Sequence, residues 1–297
     1  MADSEYRISA WWVLPISAVA WWICGFLPWL MQLSYEFTGF AEGAIAGVAG
    51  FLPVPLTADG AMVGLVTMAL FGGVLAGATS RLPASAGAGA AAAIAGTLLG
   101  LTAAVGGSWW LVVRGGVPDD SVPLGMLVAT GAAGIVGLGA GLLTGLGPAA
   151  LRGPALALPV VLLDSWLWGL VPGHAVAPVG TWWILAVALG IAFGLAVDSK
   201  PIELLGWLPT AGIVWVLQAA GPALVAVQEG IRPGSPFVDD ALTAARIAWD
   251  EIAPAAVVSE GHQLGAWVVA LLLGAAIAAL RLSREAEAEG ELAEAWA

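Results

Sequence analysis

A chain of 297 residues that is 60% hydrophobic, only 10% charged and −12 in net charge is neither an ordinary soluble domain nor a nucleic-acid binder. Soluble domains carry about 25% charged residues, whereas the mean hydropathy here is +0.94. One Lys and eight Arg make no basic patch, which leaves nucleic acid and polybasic recognition of anionic lipid without support.

Apolar stretches of about 20 residues recur without alternation, which points to helices that cross a hydrocarbon core and away from a β-barrel. The fold class is therefore an all-α polytopic integral membrane protein. Its partner is the lipid bilayer, and 1–297 forms a single transmembrane helical domain. The first run, Ala10 to Met31, follows a flank with Asp3, Glu5 and Arg7 and is longer than a signal peptide's apolar region, so it reads as a retained span. Cys24 lies within it and is a small packing residue.

Eight transmembrane helices follow from the pattern, at 10–31, 61–80, 86–113, 122–147, 155–171, 181–198, 204–226 and 263–283. The fifth is the shortest. With the N-terminus inside, Arg7, Arg81, Arg152, Lys200, Arg281 and Arg284 fall on the cytoplasmic side, as the positive-inside rule requires. The arrangement is N-in/C-in, with four outward-opening helical hairpins. Eleven acids and three bases then lie outside, a negative face that concentrates cations.

Glycines four apart, Gly73/Gly77, Gly96/Gly100, Gly137/Gly141/Gly145 and Gly190/Gly194, mark faces on which helices approach closely. They predict a central set of small-residue helices, with Trp-bearing helices toward lipid. The same Gly-rich faces are also candidates for contact with a second copy or another membrane subunit. Trp109, Trp110, Trp182, Trp183 and Trp267 are placed as interface anchors, and Trp21 and Trp22 as deeper packing.

Between spans, 32–60 is apolar but broken by Gly and Pro, which predicts an exterior interfacial or re-entrant segment covered by protein. The exterior loop 227–262 contains an amphipathic helix at 237–252, with Val238, Leu242, Ala245, Trp249 and Ile252 on one stripe. Its acidic polar face favours docking on protein. The acidic cytoplasmic tail, 284–297, reads as a solvated helical extension.

Asp164 carries the chief functional signal. It lies within the Leu/Val/Trp run of the fifth span, and a carboxylate at that depth costs several kcal/mol unless it faces a partner, water or a transported species. A satisfied structural Asp is the competing reading. Asp198, Lys200 and Glu203 cluster at a cytoplasmic return, as a gate or as a plain helix stop. His174 stands just outside the fifth span, where a proton relay to Asp164 is conceivable. The other histidine, His262, is likewise isolated, so no metal spacing exists, and no cofactor or catalytic constellation is evident. The reading leans away from an enzyme. It favours a small multi-pass transport protein or permease-like subunit with Asp164 on its route. The alternative is a non-catalytic integral-membrane subunit that stabilises a larger complex. The Ala/Gly/Trp-rich, Lys-poor composition points to the plasma (inner) membrane of a prokaryote.

Overall fold

The computed structural model describes residues 8–31, 53–56, 62–114, 121–168, 170, 182–197, 200–230, 237–257 and 262–296. About 90% of these are helical, with no strand among them. In chain order the helices are α1 (Ala10–Val19), α2 (Met62–Ala78), α3 (Ala86–Arg114), α4 (Ser121–Leu146), α5 (Ala149–Trp168), α6 (Trp182–Leu195), α7 (Trp207–Gly230), α8 (Phe237–Val257) and α9 (Leu264–Trp296). By length and composition, five helical stretches can cross a membrane: Met62–Arg81, Ala86–Arg114, Pro123–Leu146, Ile202–Ala219 and Leu264–Arg284. Two shorter apolar helices, Ala10–Cys24 and Trp182–Leu195, accompany them. Side chains such as Leu99, Ile135, Val187, Leu208 and Leu272 remain exposed, as lipid-facing positions must. These helices fit a membrane protein.

All four glycine sets lock helices that are not neighbours in sequence. A Cβ at Gly73 would lie 2.5 Å from the Gly134 carbonyl oxygen, and one at Gly77 2.5 Å from that of Leu138. Gly137 and Gly141 face back onto Leu70 and Val74. The α2 and α4 backbones are therefore in direct contact along two turns, in the same direction. In α1 and α3 the order is Leu14 on Gly96 and Ala18 on Gly100, again parallel. In α6 and α9 it is Leu273 on Gly190 and Ile277 on Gly194. Without a hydrophobic drive in lipid, such close backbone approach is what holds helices together.

Helical hairpins therefore exist in the chain order but are not the packing units. With α8 set aside, which lies between α7 and α9 in the chain and packs on α7, the bundle falls into two four-helix halves with corresponding pairs. In the first, α1 pairs with α3 and α2 with α4; in the second, α5 pairs with α7 and α6 with α9. Each half has its own apolar cluster. Trp21, Phe26, Leu65, Met68, Val105 and Met126 belong to the first, and Val160, Leu185, Leu189, Phe193, Val214 and Ala270 to the second.

Arginines gather at one end of the bundle. Arg81 donates to the carbonyls of Thr144 and Gly145 at the end of α4, and Arg281 to those of Gly194 and Leu195 at the end of α6. Arg152 donates to Gly147 O at 3.0 Å. Cations at helix C-termini meet carbonyls left over by the helix ladder and the negative end of the dipole. The arrangement is reciprocal: the second helix caps the fourth in one half, and the fourth caps the second in the other.

Tryptophan departs from its expected role. Trp21 is fully buried, and Trp166 and Trp207 are half-buried core residues, so Trp-bearing helices do not simply line the lipid side. Trp267 is 9% exposed and packs against Trp215, which removes it from the interface anchors. Trp110, Trp182 and Trp183 are exposed, as an anchor must be. Arg114 lies 4.0 Å over the Trp110 ring.

Candidate functional site

α5 is the helix that both halves share. Its Trp166 reaches into the first half, where Nε1 donates to Gly25 O at 2.9 Å and the ring stacks on Phe71 at 4.8 Å. The acceptor lies beside a π-turn. Over Ala20–Cys24 the hydrogen-bond ladder steps from Gly25→Ala20 to Phe26→Trp22, passing over the Trp21 carbonyl. That carbonyl rests against Gly72 of α2, and Gly25 lets the two backbones close up there. π-turns of this kind mark places where a helix is shaped for a neighbour.

The opposite face of α5 belongs to the second half. Gly153 packs on Thr210 and Ala196, Ala157 is fully buried, and Val160 is 5% exposed. Counting on by helical steps, the next residue on this stripe is Asp164. Asp164 is half-buried; its Oδ1 is sealed from solvent with no hydrogen bond to that atom, while the residue makes a further polar or electrostatic interaction. Two residues along a helix turn it through more than half a circle, so Asp164 faces away from the side on which Trp166 meets the first half.

The structure adds a polar group that the sequence does not single out. His262, 5% exposed, places Nδ1 3.1 Å from Gln218 Oε1 and stacks on Trp215 with ring centroids 3.6 Å apart. Trp267 packs on Trp215 from the side, ring centroids 5.4 Å apart and planes tilted by 54°, and its Nε1 is buried with no hydrogen bond among the described residues. His262 looked isolated because its partner lies 44 residues earlier in the chain. One signal was available: Gln218 is an amide inside an apolar span, the kind of residue that membrane interiors rarely hold without use.

The same end of the first half is closed differently. The non-helical stretch 53–56 inserts there, with Val54 and Leu56 fully buried. Trp22 Nε1 donates to Pro53 O at 3.0 Å, and the Val54 N–H donates to Ser108 Oγ at 2.9 Å. These four residues are the described part of the 32–60 segment, and their buried backbone is held by side chains of α3 and of the π-turn.

The remaining candidates are not brought together. Lys200 is exposed and precedes the 3-10 turn Pro201–Gly206, in which the Glu203 N–H donates to Lys200 O at 2.9 Å. That geometry is a helix start after Pro201. Asp198 and His174 lie outside the described residues. Among the described residues no group of His, Cys, Asp and Glu has the arrangement of a metal centre. The amphipathic helix forms as α8, longer than expected at Phe237–Val257, and packs along α7 and touches α4. Its Trp249 remains 68% exposed.

Comparison with protein-family models, with curated proteins and with solved structures returned no match.

Proposed function

We propose that this chain is a small multi-pass transport protein in which Asp164 neutralises the charge of a proton or small monovalent cation. The single observation that carries the reading is the place of Asp164 on α5, the helix shared by two similarly built halves, on the stripe of Gly153, Ala157 and Val160. Transporters built from parallel repeats bind their substrates near the repeat interface. A carboxylate there complements a single positive charge, and a desolvated anion would be repelled.

The arginine end is the cytoplasmic end on this reading, because Arg81, Arg152 and Arg281 all lie there. The Trp267 end then faces the acidic exterior. Asp164→Asn in reconstituted vesicles is expected to lower coupled flux more than tenfold; unchanged flux would remove the coupling role.

The alternative of a docking subunit has one observation in its favour. Trp249 and Ile247 are exposed on α8 among Arg246, Asp250 and Glu251, a surface that suits a protein partner. Purification from the native membrane in mild detergent tests it, with loss of a co-purifying chain in Trp249→Ala as the supporting result.

A further inference from the structure

We infer that Gln218 and His262 form an exterior polar step leading to Asp164, through the second half only, and that the step admits a proton or small monovalent cation. The inference rests on the transport reading for its physiological meaning but on helix geometry for its existence.

The two stripes run together. α5 and α7 touch at Gly153 and Thr210, close to both N-termini, and continue in contact, so they run in the same direction. Thr210 and Val214 are fully buried on α7, and Gln218 follows one turn beyond Val214 on that ridge. On α5 the matching ridge is Gly153, Ala157, Val160 and Asp164. At about 1.5 Å per residue, Gln218 stands about 12 Å above the crossing and Asp164 about 16 Å. The amide and the carboxylate are thus within roughly one helical turn in height, on facing ridges.

His262 completes the step from the outside. It enters just before α9, is held on Trp215 and bonds to Gln218. Gln218 Oε1, one imidazole nitrogen and the Asp164 carboxylate are acceptors, and no Lys or Arg lies on either ridge. Acceptors in succession suit a cation or a proton passed along hydrogen bonds. Among the described residues, the corresponding end of the first half holds the fully buried apolar side chains of Val54 and Leu56 in place of such polar groups.

The test uses the full chain in intact cells, with Cys24→Ser removing the native thiol and Asp164→Cys supplying a probe site. Membrane-impermeant methanethiosulfonates are added outside, one bearing a trimethylammonium group and one a sulfonate. The cationic reagent should react at least tenfold faster than the anionic one. Adding Gln218→Leu with His262→Phe, which keeps an aromatic ring on Trp215, should slow the cationic reaction at least tenfold. Gly212→Leu, at a position with open space around it, should not. Equal rates for both charges, indifference to the double substitution, or failure of Asp164→Cys in a folded protein to react even with Ag+, a thiol-reactive monovalent cation of the size proposed, would overturn the inference. Carbodiimide labelling of native Asp164, read by mass spectrometry, makes the double-substitution comparison if the cysteine variant does not fold. Flux through Asp164→Asn reports separately: normal flux removes the transport reading while leaving the access measurement intact.

Discussion

In the first half, the end away from the arginines is closed by Val54 and Leu56, each fully buried and tied down through Pro53 O and Ser108 Oγ. In the second half the same end holds Gln218, His262 and a buried indole N–H from Trp267. Apart from α8, the helix order is shared, and so is the parallel pairing of first helix with third and second with fourth. The contact surfaces differ. The first half brings glycine onto glycine, so backbones meet; in the second, Gly190 and Gly194 receive the side chains of Leu273 and Ile277. One half is built as a tight frame, the other with room for side chains and polar groups between its helices.

The contrast can be broken most severely at the glycine seam. Gly77→Leu forces a side chain into the α4 backbone and is expected to cost about 3 kcal/mol, the upper part of the range for overpacked sites. Fluorescence-detected size exclusion should show loss of the folded peak, whereas Gly212→Leu should leave it unchanged. If both behave alike, the first half is not the rigid one. Next comes the plug: Leu56→Ala should destabilise by about 2 kcal/mol through the cavity it leaves, read as a lowered Tm in detergent. Trp166→Phe keeps an aromatic ring on Phe71 but deletes the hydrogen bond to Gly25 O. About 0.6 kcal/mol is the mean worth of a polar contact between membrane helices, so a shift of one or two degrees is expected. Arg281→Gln should have the smallest effect, about 0.5 kcal/mol for a cation at a helix C-terminus. A larger loss there than in Trp166→Phe would mean that the α6–α9 pair depends on its cap more than on its glycines.

Much of the helix inventory could be read from the chain. The ends of α3 and α4 fall within a residue of the apolar runs, because a membrane span is defined by length and composition alone. The glycine faces were legible too, since four-residue spacing fixes which side of a helix is flat. Their partners were not: Gly73 could meet any smooth surface, and only the three-dimensional arrangement selects Gly134 and Leu138. α5 begins at Ala149, earlier than its apolar run, and continues through two interior prolines, Pro154 and Pro159, which membrane helices accommodate because neighbouring groups take up the freed backbone carbonyls. Trp267 misled for a different reason. An indole close to a span's end suits the headgroup level and a buried stack equally well, and hydropathy cannot separate them. The Gln218–His262 pair stayed hidden because each is chemically ordinary alone.

Pairing first helix with third and second with fourth in each half also sets a timetable. During synthesis α6 leaves the ribosome long before its partner: Leu273 follows Gly190 by about 80 residues, which at 5–20 residues per second is roughly 4–16 s. Throughout that interval the flat face of α6 has only lipid or the insertion machinery against it. α2 waits less for α4. The nascent first half can therefore close into a finished frame while the second is still an unpaired set of helices, and α5, through Trp166, is the template on which the later helices settle.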